Sequence, residues 1–272
     1  MTKYLKQFET TSQYNEYIDS SNVVLPNVNV TKDATSTVYF NPLHDYSKDY
    51  LTFVALEDGT FTFKMTAKLT TAAVPSMSYS TDNGKTWTTV QNIDNETVTV
   101  TTPTIARGNK VLWKSNAVQY YINPDSYHGK NVGQGSFSST SAYNVEGNIM
   151  SLMYGDDFKG KTSLKNPISS GYGAGAFASL FVNNSNIISV EHLVLPATTL
   201  ELYCYRSMFQ GCTSLTMAPE LPATTLANEC YSWMFSGCTS LTTAPKLPAT
   251  TLTKSCYNSM FSGCTSLTTA PK

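Results

Sequence analysis

The chain has 272 residues, about two domains on a prior of ~150 residues each. Eighteen Lys+Arg against 19 Asp+Glu leave a net charge of −1. That excludes the basic face a phosphate-neutralising protein needs, so no nucleic-acid partner is expected. Charged residues are 14 % of the chain, against ~25 % in an average soluble domain, while 17 Tyr and 12 Phe suit a β-rich surface or assembly protein.

Met1–Phe8 is followed by no apolar run of signal-peptide length, and no stretch of ~18 apolar residues occurs, so neither a secretory signal nor a membrane span is expected. Tyr4, Leu5 and Phe8 lead into Thr10-Thr11-Ser12. Tyr14, Tyr17 and Ile18 then recur at helical spacing with Glu16 in the first turn, which predicts a short helix from near Ser12. Thr35–Phe40 reads as a strand. Residues 1–50 carry many large apolar side chains but are too few for a core of their own. They pack either on a partner chain or neighbouring copy, or back onto the adjoining β-domain; sequence leaves both open.

Residues 51–128 read as a β-domain. The apolar run Leu51–Glu57 reaches Asp58-Gly59, a hairpin signal. Strict alternation comes next, with Phe61, Phe63, Met65, Ala67 and Leu69 against Thr62, Lys64, Thr66 and Lys68. Further strands are predicted at Ser76–Ser80, Thr86–Gln91, Thr97–Thr101, Lys110–Lys114 and Val118–Ile122. Short strands at this spacing suggest an antiparallel sandwich of immunoglobulin-like size. Ser80-Thr-Asp82-Asn-Gly84-Lys-Thr86-Trp87 matches the Asp-box pattern and resembles the repeated hairpins of sialidase-type propellers. One copy makes no propeller. It is read as a hairpin staple, with Asp82 accepting backbone N–H groups, Gly84 at positive φ and Trp87 plugged into the core.

Residues 129–176 form a Gly-, Ser- and Tyr-rich connecting region. Gly133-Gln-Gly135 and Gly171-Tyr-Gly173-Ala-Gly175 lack phosphate-loop spacing and read as turns. Asn148–Tyr154 is an apolar segment expected to pack at the junction between the sandwich and the C-terminal third of the chain. Asp156-Asp157 supplies too few ligands for calcium and reads as a solvated turn.

Residues 177–272 are repetitive. LPATTLELYCYRSMFQGCTSLTMAPE, LPATTLANECYSWMFSGCTSLTTAPK and LPATTLTKSCYNSMFSGCTSLTTAPK are three tandem units of 26 residues, a period that marks a solenoid of the leucine-rich kind. Leu200, Tyr205, Met208, Phe209, Cys212 and Leu215 recur at fixed offsets and should stack coil on coil. Cys204–Phe209 has helical spacing and reads as one short helical turn, Gly211 as a left-handed stop, and Ser214–Ala218 as one strand per coil. Ser179-Leu180-Phe181 aligns with Ser207-Met208-Phe209, so a degenerate first coil caps the stack, and further coils are expected beyond Lys272. Cys204, Cys230 and Cys256 form one column, and Cys212, Cys238 and Cys264 another. They read as reduced core ladders, with cross-pairing between columns as the alternative; no CxxC or nearby His supports zinc. The offsets of Arg206, Ser207, Gln210, Glu220 and the run Glu201–Tyr203 vary between units and should face solvent. Tyr203, Arg206, Trp233 and Asn258 are the candidate ligand-surface residues. His44, His128 and His192 sit in no metal or triad motif, and neither GxSxG nor HExxH occurs. No enzyme activity, cofactor or metal is expected.

The Cys-Tyr-x-x-Met-Phe-x-Gly-Cys-Thr-Ser-Leu-Thr and Leu-Pro-Ala-Thr-Thr-Leu coils, covering residues 177–272, resemble BspA-type leucine-rich repeats of gut Bacteroidales and their phages. Phe8-Glu-Thr-Thr-Ser-Gln-Tyr14-Asn-Glu-Tyr17, Leu25-Pro26-Asn27-Val28 and Val38-Tyr39 are similar to the leader of structural proteins in crAss-like and other Bacteroides phages. The resemblance implies a head fibre or capsid-decoration protein, released by lysis. Residues 1–50 would dock on phage capsid proteins, with Phe8, Tyr14, Tyr17, Leu25, Pro26, Val28 and Tyr39 as anchor candidates. The sandwich would be a stalk. The solenoid would face a glycan, mucin or host surface protein, and a homo-oligomer is expected. The alternative is a bacterial BspA-like cell-surface adhesin, which should begin with a secretion signal.

Overall fold

Among the described residues strand outweighs helix, 28 % to 6 %, so the protein is mainly β. The computed structural model describes residues 44–67, 76–90, 97–116, 121–122, 133–164 and 174–270. The helix near Ser12, the strand Thr35–Phe40 and all seven anchor candidates lie outside the described residues.

The strands are β1 (Leu51–Ala55), β2 (Phe61–Ala67), β3 (Met77–Ser80), β4 (Thr88–Val90), β5 (Thr97–Thr101), β6 (Lys110–Ser115), β7 (Tyr121–Ile122), β8 (Gly133–Ser139), β9 (Tyr143–Asn148), β10 (Ala174–Gly175), β11 (Ile187–Ser189) and β12 (Leu193–Val194). One sheet runs β11-β9-β1-β6-β3-β4, with β12 also on β9; the other runs β10-β7-β8-β2-β5. Alternation dictates the inner faces. Leu51, Phe53 and Ala55 of β1 and Phe61, Phe63 and Met65 of β2 are buried, while Lys64 between them is exposed. The two inner faces meet through rings: Phe53 on Phe61 (5.5 Å) and Phe137 (4.9 Å), and Trp113 on Phe137 (5.0 Å).

Two expectations fail here for physical reasons. Asp58-Gly59 is no hairpin turn, because β1 and β2 belong to different sheets. Asp58 accepts the Arg107 N–H (2.8 Å), and Gly59 exchanges both backbone bonds with Ile105. A methyl on Gly59 would stand 2.6 Å from Ser141 Cβ, so glycine is there for close approach as the chain crosses between sheets. Gly133–Ser139, part of the expected connecting region, is not a turn but strand β8, paired along its length with β2. Glycine weakens strand propensity, yet Gly135 faces Met65 and Phe137 is fully buried, so core packing overrides it. β9 likewise pairs with β1, β11 and β12. Asn148–Tyr154 packs where expected. Ile149, Met150, Leu152 and Met153 are buried, Ser151–Tyr154 forms the short helix α1, and the Ile149 N–H donates to Val194 (3.2 Å).

The β3–β4 hairpin carries the Asp-box residues. Asp82 accepts from the Thr86 N–H (2.9 Å) and hydroxyl (2.6 Å) and from the Ser80 hydroxyl (2.7 Å), with Asn83 and Gly84 at φ 59° and 83°. Trp87 does not plug the core; that place belongs to Trp113, which is fully buried. Trp87 is half-buried on the outer face, edge-on to Tyr50 (4.9 Å) with Lys114 Nζ 4.1 Å from its ring centre.

The Thr86 side-chain and backbone donors, then the Ser80 hydroxyl, lower the Asp82 carboxyl to about 2. A depressed folded-state value means the unfolded chain binds more protons. The hairpin's contribution is therefore present above the unfolded aspartate range and is lost as pH falls through about 2. A carboxyl NMR titration is expected to show this depressed midpoint, and Thr86→Val should move it upward. A native Asp82 titrating like a free aspartate would refute the staple.

Candidate functional site

Each 26-residue unit folds into a coil of linked turns. Alternate N–H groups stay within the coil: Cys204 to Glu201 (3.2 Å), Arg206 to Tyr203 (3.1 Å), Met208 to Tyr205 (3.2 Å) and Gln210 to Ser207 (3.1 Å). The others reach the next coil: Tyr205 to Cys230 (3.0 Å), Ser207 to Ser232 (2.9 Å), Phe209 to Met234 (2.9 Å) and Gly211 to Ser236 (2.8 Å). Every fourth residue has positive φ: Tyr203, Ser207 and Gly211, then Glu229, Trp233 and Gly237, then Ser255, Ser259 and Gly263. The expected helical turn at Cys204–Phe209 is therefore absent. Two residues point inward, as Cys204-Tyr205 and Met208-Phe209 do, and the next two point outward. That pattern satisfies helical spacing as well as a four-residue turn period, which is why sequence reads it as helix. The expected strand at Ser214–Ala218 shrinks to single parallel bridges, Ser189 with Met217 and Met217 with Thr243.

Identical offsets stack. Phe181, Phe209, Phe235 and Phe261 lie face to face at 5.3, 5.7 and 5.7 Å, and Tyr205, Tyr231 and Tyr257 at 5.7 and 5.8 Å. The column begins in the sheets, because Phe137 of β8 stacks on Phe181 at 5.6 Å. All six cysteines are free and buried. The second column bonds coil to coil: Cys212 Sγ donates to Phe181 O (3.0 Å), Cys238 Sγ to Phe209 O (3.1 Å) and Cys264 Sγ to Phe235 O (3.0 Å). Burial pushes the Cys212 thiol up to about 12 and Cys230 to about 11, so these thiols are structural donors rather than nucleophiles. In the first coil Asn184 stands where the later coils place this cysteine. Its Nδ2 donates to Phe137 O (3.0 Å) and to the Tyr143 hydroxyl (2.8 Å), so the degenerate coil is tailored to the sheets.

The outward pairs carry the variable offsets. The Arg206 guanidinium lies 5.4 Å from the Tyr203 ring centre and reaches Glu229 of the next coil (3.5 Å). Trp233 is half-buried and Asn258 exposed. The Asn258 carbonyl accepts the Trp233 N–H (2.9 Å) and the Ser232 hydroxyl (3.3 Å). Two variable offsets depart from expectation in the second unit: Ser232, equivalent to Arg206, is fully buried, and Ser236, equivalent to Gln210, is buried too, both small enough to lie between neighbouring coils. Tyr203, Glu229 and Trp233 hold large side chains at positive φ (57°, 53° and 61°), each costing about 1–2 kcal/mol relative to glycine. Glu229, absent from the sequence candidates, joins the face through its pairing with Arg206. Pairing across coils is visible only once the coils stack.

A second cluster escaped sequence reading. Asp156 accepts both Lys114 Nζ (2.8 and 2.9 Å) and the Tyr50 hydroxyl (2.7 Å), and these two donors hold its carboxyl low. Burial, then the Asp156 bond, raises the Tyr50 hydroxyl to about 12. Asp156 is thus an ion-pair partner while its side chain stays 65 % exposed, as a solvated turn residue should. His192 stacks on Tyr46 (4.5 Å); His128 lies outside the described residues. No cluster of three or more His, Cys, Asp or Glu suited to a metal occurs among the described residues, and none of their helices is long and apolar enough to cross a membrane. Comparison with protein-family models, curated proteins and solved structures gave no match.

Proposed function

We propose that this chain is a non-enzymatic phage structural protein, a head fibre or capsid decoration, anchored through its N-terminal segment and displaying a ligand-binding face on its coils. On this reading the paired sheets are an immunoglobulin-like sandwich serving as stalk, and the coils are a leucine-rich-repeat solenoid of the BspA kind. The observation that carries it is the division of labour within each coil. Residues that stack are constant through three units, while Tyr203, Arg206, Glu229, Trp233 and Asn258 change on the outward turns. A rigid ladder with a variable outer face is the arrangement a display module requires. The leader resemblance supplies the attachment end, and a glycan, mucin or host surface protein is the ligand class.

The test is co-sedimentation with Bacteroides-phage capsids stripped of fibres. Deleting residues 1–43 spares Tyr46 and Tyr50, which pack on His192 and Phe158. Saturable binding by the full chain, lost on that deletion and retained by Trp233→Ala, is expected. Binding by neither form overturns the virion reading and favours the cell-surface adhesin.

A further inference from the structure

The chain has three tryptophans, and two of them have partners. Trp113 packs in the core on Phe53, Tyr79 and Phe137, and Trp87 lies against Tyr50 and Lys114. The Trp233 indole has no ring or cation partner, and its side chain makes no hydrogen bond, among the described residues. It is nevertheless held at φ 61°, a conformation unfavourable for a bulky side chain. The same offset is Ser207 in the preceding coil and Ser259 in the following one, both at φ 53°. The coil itself therefore works with a small residue there, and no contact inside the molecule accounts for the ring. Strain with no internal contact to offset it points to a function outside the fold.

The surroundings of the ring come from all three coils. The Trp233 N–H donates to the Asn258 carbonyl (2.9 Å), and the Ser207 N–H to the Ser232 carbonyl (2.9 Å), so a neighbouring coil runs beside Trp233 on each side. The two serines in its column are too short to cover an indole face. Glu229 stands one turn earlier in the same coil, and Arg206 of the preceding coil meets it at 3.5 Å. That separation is long for a hydrogen bond. The guanidinium N–H groups and carboxylate oxygens, on side chains 34 % and 27 % exposed, keep bonding capacity for a ligand. The exposed Asn258 adds an amide from the following coil.

We propose that Trp233 is the stacking platform of a carbohydrate subsite for a neutral hexopyranose, whose hydroxyls bond to Arg206, Glu229 and Asn258. The proposal rests on the reading of this face as the display surface and names its ligand class. A pyranose has an apolar C–H face and a rim of hydroxyls that each donate and accept. The C–H face leaves water on contact with the indole. The rim needs donors and an acceptor side by side, which the Arg206–Glu229 pair supplies. Charge selects against acidic sugars, because a ligand carboxylate would meet Glu229 and find Arg206 already neutralised. A protein partner would want a cluster of large anchors, but serines flank Trp233, and the other aromatic of the face, Tyr203, is engaged by the Arg206 guanidinium (5.4 Å).

The probes are the methyl hexopyranosides of glucose, galactose and mannose, with methyl glucuronide as the charged control. Each is titrated into the full chain and followed by the Trp233 indole N–H resonance and by saturation transfer to the sugar C–H protons. Saturable binding of at least one neutral glycoside is expected, with a Kd of about 1 mM or weaker, the scale of one open subsite. Trp233→Ser installs the residue of the other two coils, so the fold is kept, and it should weaken binding at least about tenfold. Glu229→Gln should weaken neutral-sugar binding and strengthen that of the glucuronide, a reversal that a purely structural role would not produce. No binding of a neutral glycoside at about 50 mM, binding unchanged by Trp233→Ser, glucuronide preferred by the unmodified chain, or a deglycosylated host surface protein held through Trp233 in place of sugar would each overturn the subsite. Capsid co-sedimentation of the same preparations separates the two readings. Capsid binding without sugar binding overturns the subsite alone, and sugar binding without capsid binding overturns the virion reading alone.

Discussion

Phe53→Ala is expected to lower folding stability by about 4 kcal/mol, within the range for emptying a large aromatic from a packed core. Its ring touches both layers and the first coil at once. It lies 5.5 Å from Phe61, 5.6 Å from Trp113, 4.9 Å from Phe137, 5.0 Å from Tyr143 and 6.0 Å from Phe181. The side chain is fully buried, and paired rings contribute beyond their buried area. Because Phe137 and Phe181 are the first two rings of the column that runs to Phe261, loosening Phe53 also loosens the base of the coil stack. Urea unfolding followed by the combined fluorescence of Trp87, Trp113 and Trp233 and by far-UV circular dichroism should give one coincident transition, shifted downward in the variant. Exposed Lys64→Ala is the control, with a change within about 0.5 kcal/mol. A loss below about 1.5 kcal/mol, or separate transitions for sheets and coils, would contradict the shared core.

Gly147→Ala is expected to be as damaging, by about 4 kcal/mol or more, for a different reason. Gly147 has φ 83°, in a region L-residues with a side chain seldom occupy. Its N–H donates to the His192 carbonyl (3.0 Å), and it sits opposite Leu193 in the β9–β12 pairing. A methyl there would lie 2.9 Å from the Tyr50 carbonyl carbon and closer still to its oxygen. Backbone cannot move aside as a flexible side chain can, so β1, β9 or β12 must shift. Gly108 is a matched control, with the same φ of 83° and nothing within 4 Å of an added methyl. Gly108→Ala should cost about 1 kcal/mol, the conformational term alone, so the difference between the two isolates the clash. Equal melting temperatures for the two variants would show that β9 does not run under the Tyr50 backbone.

The regularity of the coils made much of their interior legible. Phe209, Tyr205, Met208 and both cysteine columns were identified from offsets alone, because a residue repeated at a fixed period can bury itself only by stacking on its own copies. The first coil was legible for the same reason: Asn183 takes the place of Gly211 and adopts φ 57°, and Asn184 replaces the thiol donor. Backbone conformation within the coil was not legible. Inward pairs four residues apart are common to helices and to linked turns, and hydrogen bonds between coils decide the matter. The candidate surface was half legible. Tyr203, Arg206, Trp233 and Asn258 emerge because they vary, whereas Glu229 emerges because Arg206 reaches it across a coil boundary. Variation alone misplaced Ser232 and Ser236, since a small side chain at a variable offset can also sink between coils.

By itself the sequence determined the mainly-β class, the alternation that buries Phe61, Phe63 and Met65, the Asp82–Thr86 turn chemistry and the 26-residue register of the stack. These are local or periodic properties, written in spacing and in side chains that bond within a few residues. Tertiary structure decided the features that depend on distant partners. It sent β1 and β2 into opposite sheets across Gly59, turned Gly133–Ser139 into a strand by pairing it with β2, placed Trp113 rather than Trp87 in the core, and set Phe137 beneath Phe181 as the foundation of the column. In each case two short-range conformations were close in free energy, and burial of aromatic surface between residues far apart in the chain chose between them.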